Sequence, residues 1–209
     1  PFWKSVRAAL DPPRPTPAPA TLPAPPEWPT SLALDALGLQ PTIRWDAGLA
    51  TAWEPGERGA ARNLEGFLAG PVRNYDEGRN LPGVTGTSRL SPHLHFGEIS
   101  PRQVWHAAPD WQQRQFVTEV GWREFAHHLL FHFPATQTEP LDPKFANYRW
   151  ENSPALLKAW QRGQTGYPIV DAGLRELWHT GWMHNRVRMI VASLLVKNCQ
   201  VHWLEGARW

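Results

Sequence analysis

The sequence predicts an all-α fold. In the segment from residue 168 to 180, apolar side chains recur at helical spacing and share one face: Ile169, Val170, Leu174, Leu177 and Trp178. Pro168 suits a first helical turn, and Gly181 directly after the segment is a typical helix stop. No segment shows the strict alternation of apolar and polar residues that indicates a β-strand, and the sequence has no internal repeat.

The remaining elements follow in chain order. Residues 1–10 predict a short helix, and the proline-rich residues 11–30 predict an extended, polyproline-like path. A short amphipathic turn follows at residues 30–37. Further helices are predicted at residues 57–68, 100–107, 112–133, 154–160, 168–180 and 184–197, with loops at 75–86 and 134–148. Ser100–Pro101 is a good N-cap and first-turn pair, whereas Gly121 weakens the longest helix by about 1 kcal/mol.

Length and composition indicate how the chain is organised. A chain of 209 residues can bury one full core, and we predict an interdomain linker at residues 1–30 and one helical domain at residues 31–209. We therefore expect a domain before the linker and a truncated C-terminal end. Cys199 is the only cysteine, which excludes a disulfide framework and fits a reducing cytoplasm. No apolar run approaches the roughly 18 residues of a membrane span.

The predicted helix at residues 184–197 begins with an unusual set of polar residues. Asn185 and Met189 lie four positions apart and therefore share a face, with Arg188 beside them. An amide, a thioether and a guanidinium on one face favour a pocket for a planar polar heterocycle over plain core. His184, just before them, is interpreted as a structural histidine.

Residues Gly86–Pro92 read Gly-Thr-Ser-Arg-Leu-Ser-Pro. Hydroxyls, backbone N–H groups and one guanidinium in so short a loop could cradle a phosphate. The same composition is common in plain turns, so both interpretations stay open.

Glu119 and Trp122 lie three positions apart on the longest predicted helix. A carboxylate beside a large aromatic ring suits a flat ligand, because tryptophan can stack on its face while glutamate bonds its edge. The alternative is an exposed Glu119–Arg123 ion pair, with Trp122 in the core.

Histidine and tryptophan are the residue types that could mark a metal or redox site. The spacing of His93 with His95, and of the histidines between 127 and 132, could suit a metal ion, but no HExxH motif, cysteine pair or acidic cluster accompanies them. We therefore interpret them as helix surface and expect no metal. Six of the 13 tryptophans are expected mostly in the core, although a tryptophan chain could also conduct electrons: Trp150, Trp160, Trp178, Trp182, Trp203 and Trp209.

Taken together, these segments resemble the flavin-binding half of DNA photolyases of the photolyase/cryptochrome family. The resemblance covers about residues 75–203 and rests on GTSRLSPHLHFGEISPRQVW, GWREF, W-x9-W followed by TGYPIVDAG, and TGWMHNRVRM. The WMHNR form resembles class I enzymes that act on cyclobutane pyrimidine dimers. The implied fold is an incomplete helical FAD-binding domain after a proline-rich linker.

The resemblance also implies a role for individual residues. FAD contacts would come from Tyr75, Thr87, Ser88, Arg89, Leu90, Ser91, Phe116, Asn185 and Arg188. Damaged DNA would be contacted by Arg79, Glu119, Trp122, Asn185, Arg186 and Met189. Glu119 would stabilise the radical anion of the dimer, and Trp150 and Trp203 would be the outer and middle members of an electron relay.

The implied function is light-driven splitting of pyrimidine dimers in UV-damaged DNA by electron transfer from reduced FAD. We expect a cytoplasmic monomer without membrane contact, and an antenna chromophore, folate or deazaflavin, only in the domain before the linker. In the family, an acidic and asparagine-bearing segment that covers the flavin would follow Trp209, so we expect the chain alone to be inactive. A cryptochrome-type blue-light receptor and a non-catalytic helical fragment stay open as alternatives.

Overall fold

A computed structural model describes residues 2–9, 12–108 and 114–209 of the chain. Within these ranges every regular element is a helix, which confirms the predicted all-α fold. The helices are α1 (Phe2–Ala9), α2 (Ala47–Ala52), α3 (Glu57–Ala69), α4 (Tyr75–Gly78), α5 (Ser91–Phe96), α6 (Pro101–Ala107), α7 (Arg114–His132), α8 (Pro154–Gln161), α9 (Pro168–Thr180), α10 (Asn185–Ser193) and α11 (Trp203–Arg208). None of these described helices is long and apolar enough to cross a membrane.

Most predicted helix boundaries are confirmed within one or two residues, with three differences. The prediction for the longest helix began at residue 112, but residues 112 and 113 lie outside the described part of the chain. The last long helix ends at Ser193 and continues as a π-helical turn over Leu194–Asn198. The predicted loop at 75–86 is wrong at its start, because Tyr75–Gly78 forms a single helical turn.

Local capping signals explain why the boundaries were readable. Ser100 Oγ accepts a hydrogen bond from the Gln103 N–H, and the Ser100 N–H donates to Gln103 Oε1, which forms a complete capping box before α6. Gly181 ends α9 in the left-handed conformation, with a φ of 69°.

The buried apolar side chains form two clusters. The C-terminal cluster joins α8, α9, α10 and the π-helical turn through Trp160, Val170, Leu174, Met183, Val187, Val191, Leu194, Leu195 and Val201. The N-terminal cluster joins α3, α6 and α7 through Ala60, Leu64, Phe67, Val72, Leu90, Ile99, Val104 and Phe116. α9 and α10 therefore belong to one cluster and α7 to the other. Trp160 is buried as expected, but Trp178 is 64% exposed.

The N-terminal segment lies against α6 and α7. The Phe2 ring lies 5.1 Å from that of Phe125, and Trp3 lies edge-on to Trp105 at 6.1 Å. Trp3 covers Gly121, where a Cβ would come within 2.4 Å of the indole. The glycine that weakens α7 as a helix thus permits the contact with α1.

The contact between α9 and α10 depends on Gly173. A Cβ at Gly173 would lie 2.3 Å from Val187 Cγ1, so Gly173→Ala should force the two helices apart. Overpacking costs about 1–3 kcal/mol, which exceeds the gain of up to about 1 kcal/mol from alanine over glycine in a helix. We expect the free energy of unfolding, measured in urea, to fall by about 1–2 kcal/mol.

Gly66 on α3 provides the matched control. It is exposed, and a Cβ there would meet no heavy atom within 4 Å. Gly66→Ala should therefore raise the free energy of unfolding by about 0.5–1 kcal/mol. A similar gain in the Gly173 variant would contradict close packing between α9 and α10.

A buried carboxylate organises the turn before α9. Asp171 accepts hydrogen bonds from the N–H and Oγ1 of Thr165, both at 2.7 Å, and from the Gly166 N–H at 3.0 Å. Burial by itself would raise the pKa of the Asp171 carboxyl, but these bonds and the charge of Arg175 outweigh it, so the pKa is lowered. The carboxylate is therefore stabilised in the folded state.

Replacing this carboxylate should cost stability in a pH-dependent way. Asp171→Ala leaves buried donors unpaired and should lower the free energy of unfolding at neutral pH by about 1–3 kcal/mol. Because the folded pKa lies below the unfolded value of about 3.9, this contribution is full above that value and is lost as pH falls through the folded pKa. Urea unfolding should show the difference from the unsubstituted protein shrinking in acid, while exposed Asp35→Ala has little effect at any pH. A difference that grows in acid would contradict this account.

Candidate functional site

Three parts of the fold meet at a cavity of about 620 Å³, here called the Trp122 cavity. Its lining comes from α4 and the two residues after it, from α7 and from α10: Asp76, Arg79, Asn80, Gln115, Glu119, Trp122, Arg186 and Met189. Of the residues predicted to contact DNA, only Asn185 is missing from this lining. Five of the eight lining residues are therefore among those predicted to contact DNA, and that role stays a prediction.

Glu119 is held by two donors in the Trp122 cavity. Its Oε1 accepts a charged hydrogen bond from Arg79 Nη1 and a second one from Gln115 Nε2 at 2.9 Å. The alternative of a Glu119–Arg123 pair is wrong, because Arg123 instead donates to Glu124 at 2.7 Å. Glu119 therefore pairs with Arg79 from a distant segment, and not with Arg123 on its own helix as helical spacing suggested.

Trp122 lies at the open side of this cavity. Its side chain is 58% exposed, so the alternative that placed it in the core is wrong. Helix geometry explains the exposure, because Phe116 and Val120 turn one face of α7 toward the N-terminal cluster and Trp122 lies about 200° around the helix from Val120. The ring is available to stack on a flat ligand.

Arg186 closes the opposite wall of the cavity. Its Nε and Nη2 both donate to Asn80 Oδ1, at 2.8 and 2.5 Å, and its Nη1 lies 3.9 Å from Met189 Sδ. These contacts join the start of α10 to the segment after α4 and leave a guanidinium at the cavity rim.

A second cavity of about 590 Å³, the Tyr75 cavity, lies on the other side of Glu119. Its lining includes five of the residues predicted to contact FAD: Tyr75, Ser88, Leu90, Ser91 and Phe116. The Tyr75 and Phe116 rings meet edge-on at 5.6 Å. Burial raises the pKa of the Tyr75 hydroxyl to about 12, so it stays a neutral donor at neutral pH. Glu119 lines both cavities.

The loop bearing Ser88 has the backbone shape of an anion site. Arg89 takes a left-handed φ of 51°, and Leu90 follows at φ −84° and ψ −7°. Such alternation turns successive N–H groups toward one side, where they can bind an anion. Gly86 brings the loop against α4, since a Cβ there would lie 2.3 Å from the Gly78 carbonyl oxygen.

The Arg89 side chain leaves this loop in another direction. Its guanidinium lies 4.4 Å from the centre of the Trp182 ring and 3.9 Å from the Glu176 carboxylate. Arg89 is absent from the lining of the Tyr75 cavity, and so is the half-buried Thr87. Phosphate binding through the Arg89 guanidinium is therefore not a feature of this conformation.

Arg188 and Asn185 do not share the pocket that the sequence predicted. Arg188 continues a helical stripe formed by Val191, Ala192 and Leu195, and this stripe lines a separate cavity of about 370 Å³ that also contains Trp203. Asn185 is exposed at the first position of α10 and lines none of these three cavities. Arg188 thus lies beside the face of Asn185 and Met189, on the neighbouring stripe of α10, and the predicted FAD contacts of Asn185 and Arg188 stay predictions.

Trp150 and Trp203 are linked through a histidine that the sequence did not single out. The His202 ring lies 5.0 Å from that of Trp150 and 5.6 Å from that of Trp203. His202 Nδ1 accepts a hydrogen bond from the Leu204 N–H at 3.1 Å, and the backbone N–H of His202 donates to Asn152 Oδ1 at 2.8 Å. These bonds hold α11 beside the loop that carries Trp150.

Three residues of the Trp122 cavity escaped sequence reasoning: Asp76, Asn80 and Gln115. Gln115 lies one helical turn before Glu119, so its spacing was a usable signal. Asn80 carried no signal, because its partner Arg186 is distant in sequence. His184 was recognised, but it is only half paired: its Nδ1 accepts the Arg186 N–H at 3.1 Å, while its buried Nε2 has no partner among the described residues. Burial lowers the pKa of His184 and favours its neutral form.

Comparison with known proteins agrees with this geometry. Residues 116–209 match the family model described as the FAD binding domain of DNA photolyase. The chain is 44% identical over its whole length to a deoxyribodipyrimidine photo-lyase of Agrobacterium fabrum, and spans 45% of that protein. It is 38% identical over 78% of its length to cryptochrome-1 of Arabidopsis thaliana, of which it spans 26%.

A solved structure extends the comparison to the fold. The crystal structure of a class III photolyase from Agrobacterium tumefaciens superposes on the whole chain with a TM-score of 0.94 at 44% identity, and the chain covers 45% of it. The chain therefore belongs to the photolyase/cryptochrome family and has the fold of its FAD-binding domain.

Proposed function

We propose that this chain forms the FAD- and DNA-binding part of a light-dependent lyase that splits cyclobutane pyrimidine dimers in UV-damaged DNA. The observation that carries the proposal is the position of Glu119, which lines both the Trp122 cavity and the Tyr75 cavity. A dimer in one cavity and a flavin in the other would both lie within reach of one carboxylate. Relatives that are named deoxyribodipyrimidine photo-lyases support the same activity.

The Tyr75 cavity fits FAD in its donor groups and aromatic walls. Ser88, Ser91 and the N–H groups at Arg89 and Leu90 suit a phosphate, and the half-buried Tyr75 supplies an aromatic edge. When bound and reduced, FAD would supply the electron that opens the cyclobutane ring. The role of the chain is to hold the two ligands close together and to exclude water from the gap between them.

The Trp122 cavity fits a dimer extruded from DNA. A dimer is weakly stacked and poorly paired, so its extrusion costs less than that of a normal base. The exposed Trp122 ring offers it a stacking surface, and Glu119 offers an acceptor for a pyrimidine N–H. The guanidinium of Arg186 at the rim suits the DNA backbone.

A cavity that combines an exposed tryptophan, a carboxylate and a guanidinium favours repair over the alternative of a cryptochrome-type receptor, which needs no such cavity. The finer assignments stay predictions. The class I branch is one of them, because the chain is 44% identical to a class III photolyase. The others are the antenna chromophore, the monomeric state, the cytoplasmic location and the roles of Trp150 and Trp203. The linker at residues 1–30 and the domain at 31–209 are likewise proposals, supported by the exposure of residues 17–30.

Replacing Trp122 tests the DNA side of the proposal. Trp122→Ala should weaken binding of a dimer-containing oligonucleotide by about 1–3 kcal/mol, because stacking on the ring is lost. Trp178→Ala is the matched control, since that ring is similarly exposed but lies on α9 away from the cavity. Fluorescence anisotropy with damaged and undamaged DNA measures both. Equal affinities of the two variants for dimer DNA would refute the assignment of Trp122.

Replacing Gly86 tests the flavin side. Gly86→Ala should push the loop away from the Gly78 carbonyl and displace Ser88, so FAD should bind about tenfold more weakly, as overpacking of roughly 1–2 kcal/mol requires. Gly83→Ala in the same loop is the control, because a Cβ there meets no heavy atom within 4 Å. Flavin fluorescence titration gives both affinities. An FAD affinity unchanged by Gly86→Ala would remove this loop from the flavin site.

A further inference from the structure

Gln115 lines the Trp122 cavity without an assigned role. It lies on α7 one turn before Glu119, and its Nε2 donates to Glu119 Oε1 at 2.9 Å. Arg79, the residue directly after α4, donates to the same oxygen. Among the described residues, no hydrogen bond reaches Glu119 Oε2. One carboxylate oxygen is thus held twice, and the other is available to a ligand.

We propose that Gln115 is a positioning residue for Glu119. Its amide holds Oε1 so that Oε2 remains the acceptor for a ligand that enters the Trp122 cavity. The inference rests on the proposed function, in which that ligand is a damaged pyrimidine.

The need for a second donor follows from the charge of the first. Arg79 is a half-buried guanidinium beside a cavity that we propose to bind DNA, and phosphates attract guanidinium groups strongly. A phosphate that draws Arg79 toward itself would leave Glu119 free to rotate. The Gln115 amide carries no charge and does not compete for phosphate in this way, so it keeps the carboxylate in place. A group fixed before the ligand arrives loses less rotational freedom at that step.

The simpler interpretation is an ordinary side-chain pair on a helix surface. Glutamine and an acidic residue four positions apart stabilise helices slightly and need no further purpose. Under this interpretation, loss of Gln115 would change only stability. The positioning role instead predicts a change in repair at constant stability and constant DNA affinity.

Gln115→Met separates the two interpretations, because methionine keeps the length of the side chain and removes the donor. In the FAD-loaded full-length protein we expect the quantum yield of dimer repair to fall about fivefold, as for loss of one net hydrogen bond. The affinity for dimer DNA should stay at the level of the unsubstituted protein, because stacking on Trp122 carries binding. The thermal midpoint should stay at that level as well. Gln164→Met, at an exposed position after α8, is the matched control.

Two further measurements do not depend on stability. Gln115→His restores an uncharged N–H donor and should recover most of the repair yield. In the flavin-free protein, Gln115→Met should shift the infrared band of the Glu119 carboxylate. That band is identified by its absence from the spectrum of Glu119→Ala.

The outcomes are distinct. An unchanged yield in Glu119→Ala would overturn the proposed function itself. A lowered yield in Glu119→Ala with a normal yield and an unshifted carboxylate band in Gln115→Met would overturn only the positioning role. A loss in Gln115→Met that histidine does not restore, and that follows the thermal midpoint, would make Gln115 a packing residue.

Discussion

Polar contacts across the seam between two apolar clusters hold this fold together. Trp53 is the central one: its Nε1 donates to the Thr180 carbonyl at 2.5 Å, at the end of α9 where carbonyls lack helical partners. The edge of the same indole meets His93 at 6.0 Å, and the buried His93 ring bonds Glu98 at 2.5 Å. The hydrogen bond from His93 lowers the pKa of Glu98 and keeps it an anion. One side chain therefore links the C-terminal cluster to the polar network of the N-terminal one.

The cavities lie where this seam reaches the surface. Arg186 with Asn80, and Arg89 with Trp182, cross it close to the Trp122 and Tyr75 cavities. Such contacts contribute only about 0.5–1.5 kcal/mol each, less than a well-packed apolar interface of similar extent. The seam is therefore held by weaker interactions than the interior of either apolar cluster.

Local signals made much of the fold predictable, and distant pairings limited the site. Pro168, Gly181 and the Ser100 capping box act within a few residues, so they marked helix ends correctly. Spacing alone suggested Arg123 as the partner of Glu119, whereas the actual partner Arg79 is 40 residues away in sequence. Spacing likewise did not show which cavity Arg188 lines, because that depends on the helices that pack against α10. The periodicity of a helix shows which residues share a face, but not which other element packs against that face.

Glu119 belongs both to the polar contacts between distant segments and to the lining of the two cavities. Its oxygen Oε1 is fixed by one donor on its own helix and one from another segment, so the carboxylate ties α7 to the residues after α4. Because the same side chain lines both cavities, ligands in the two cavities would each lie beside Glu119. Short-range electron transfer requires that adjacency, whereas tight binding of either ligand alone does not. The position of Glu119 at the common wall, rather than the size of either cavity, is therefore the feature that favours a repair function.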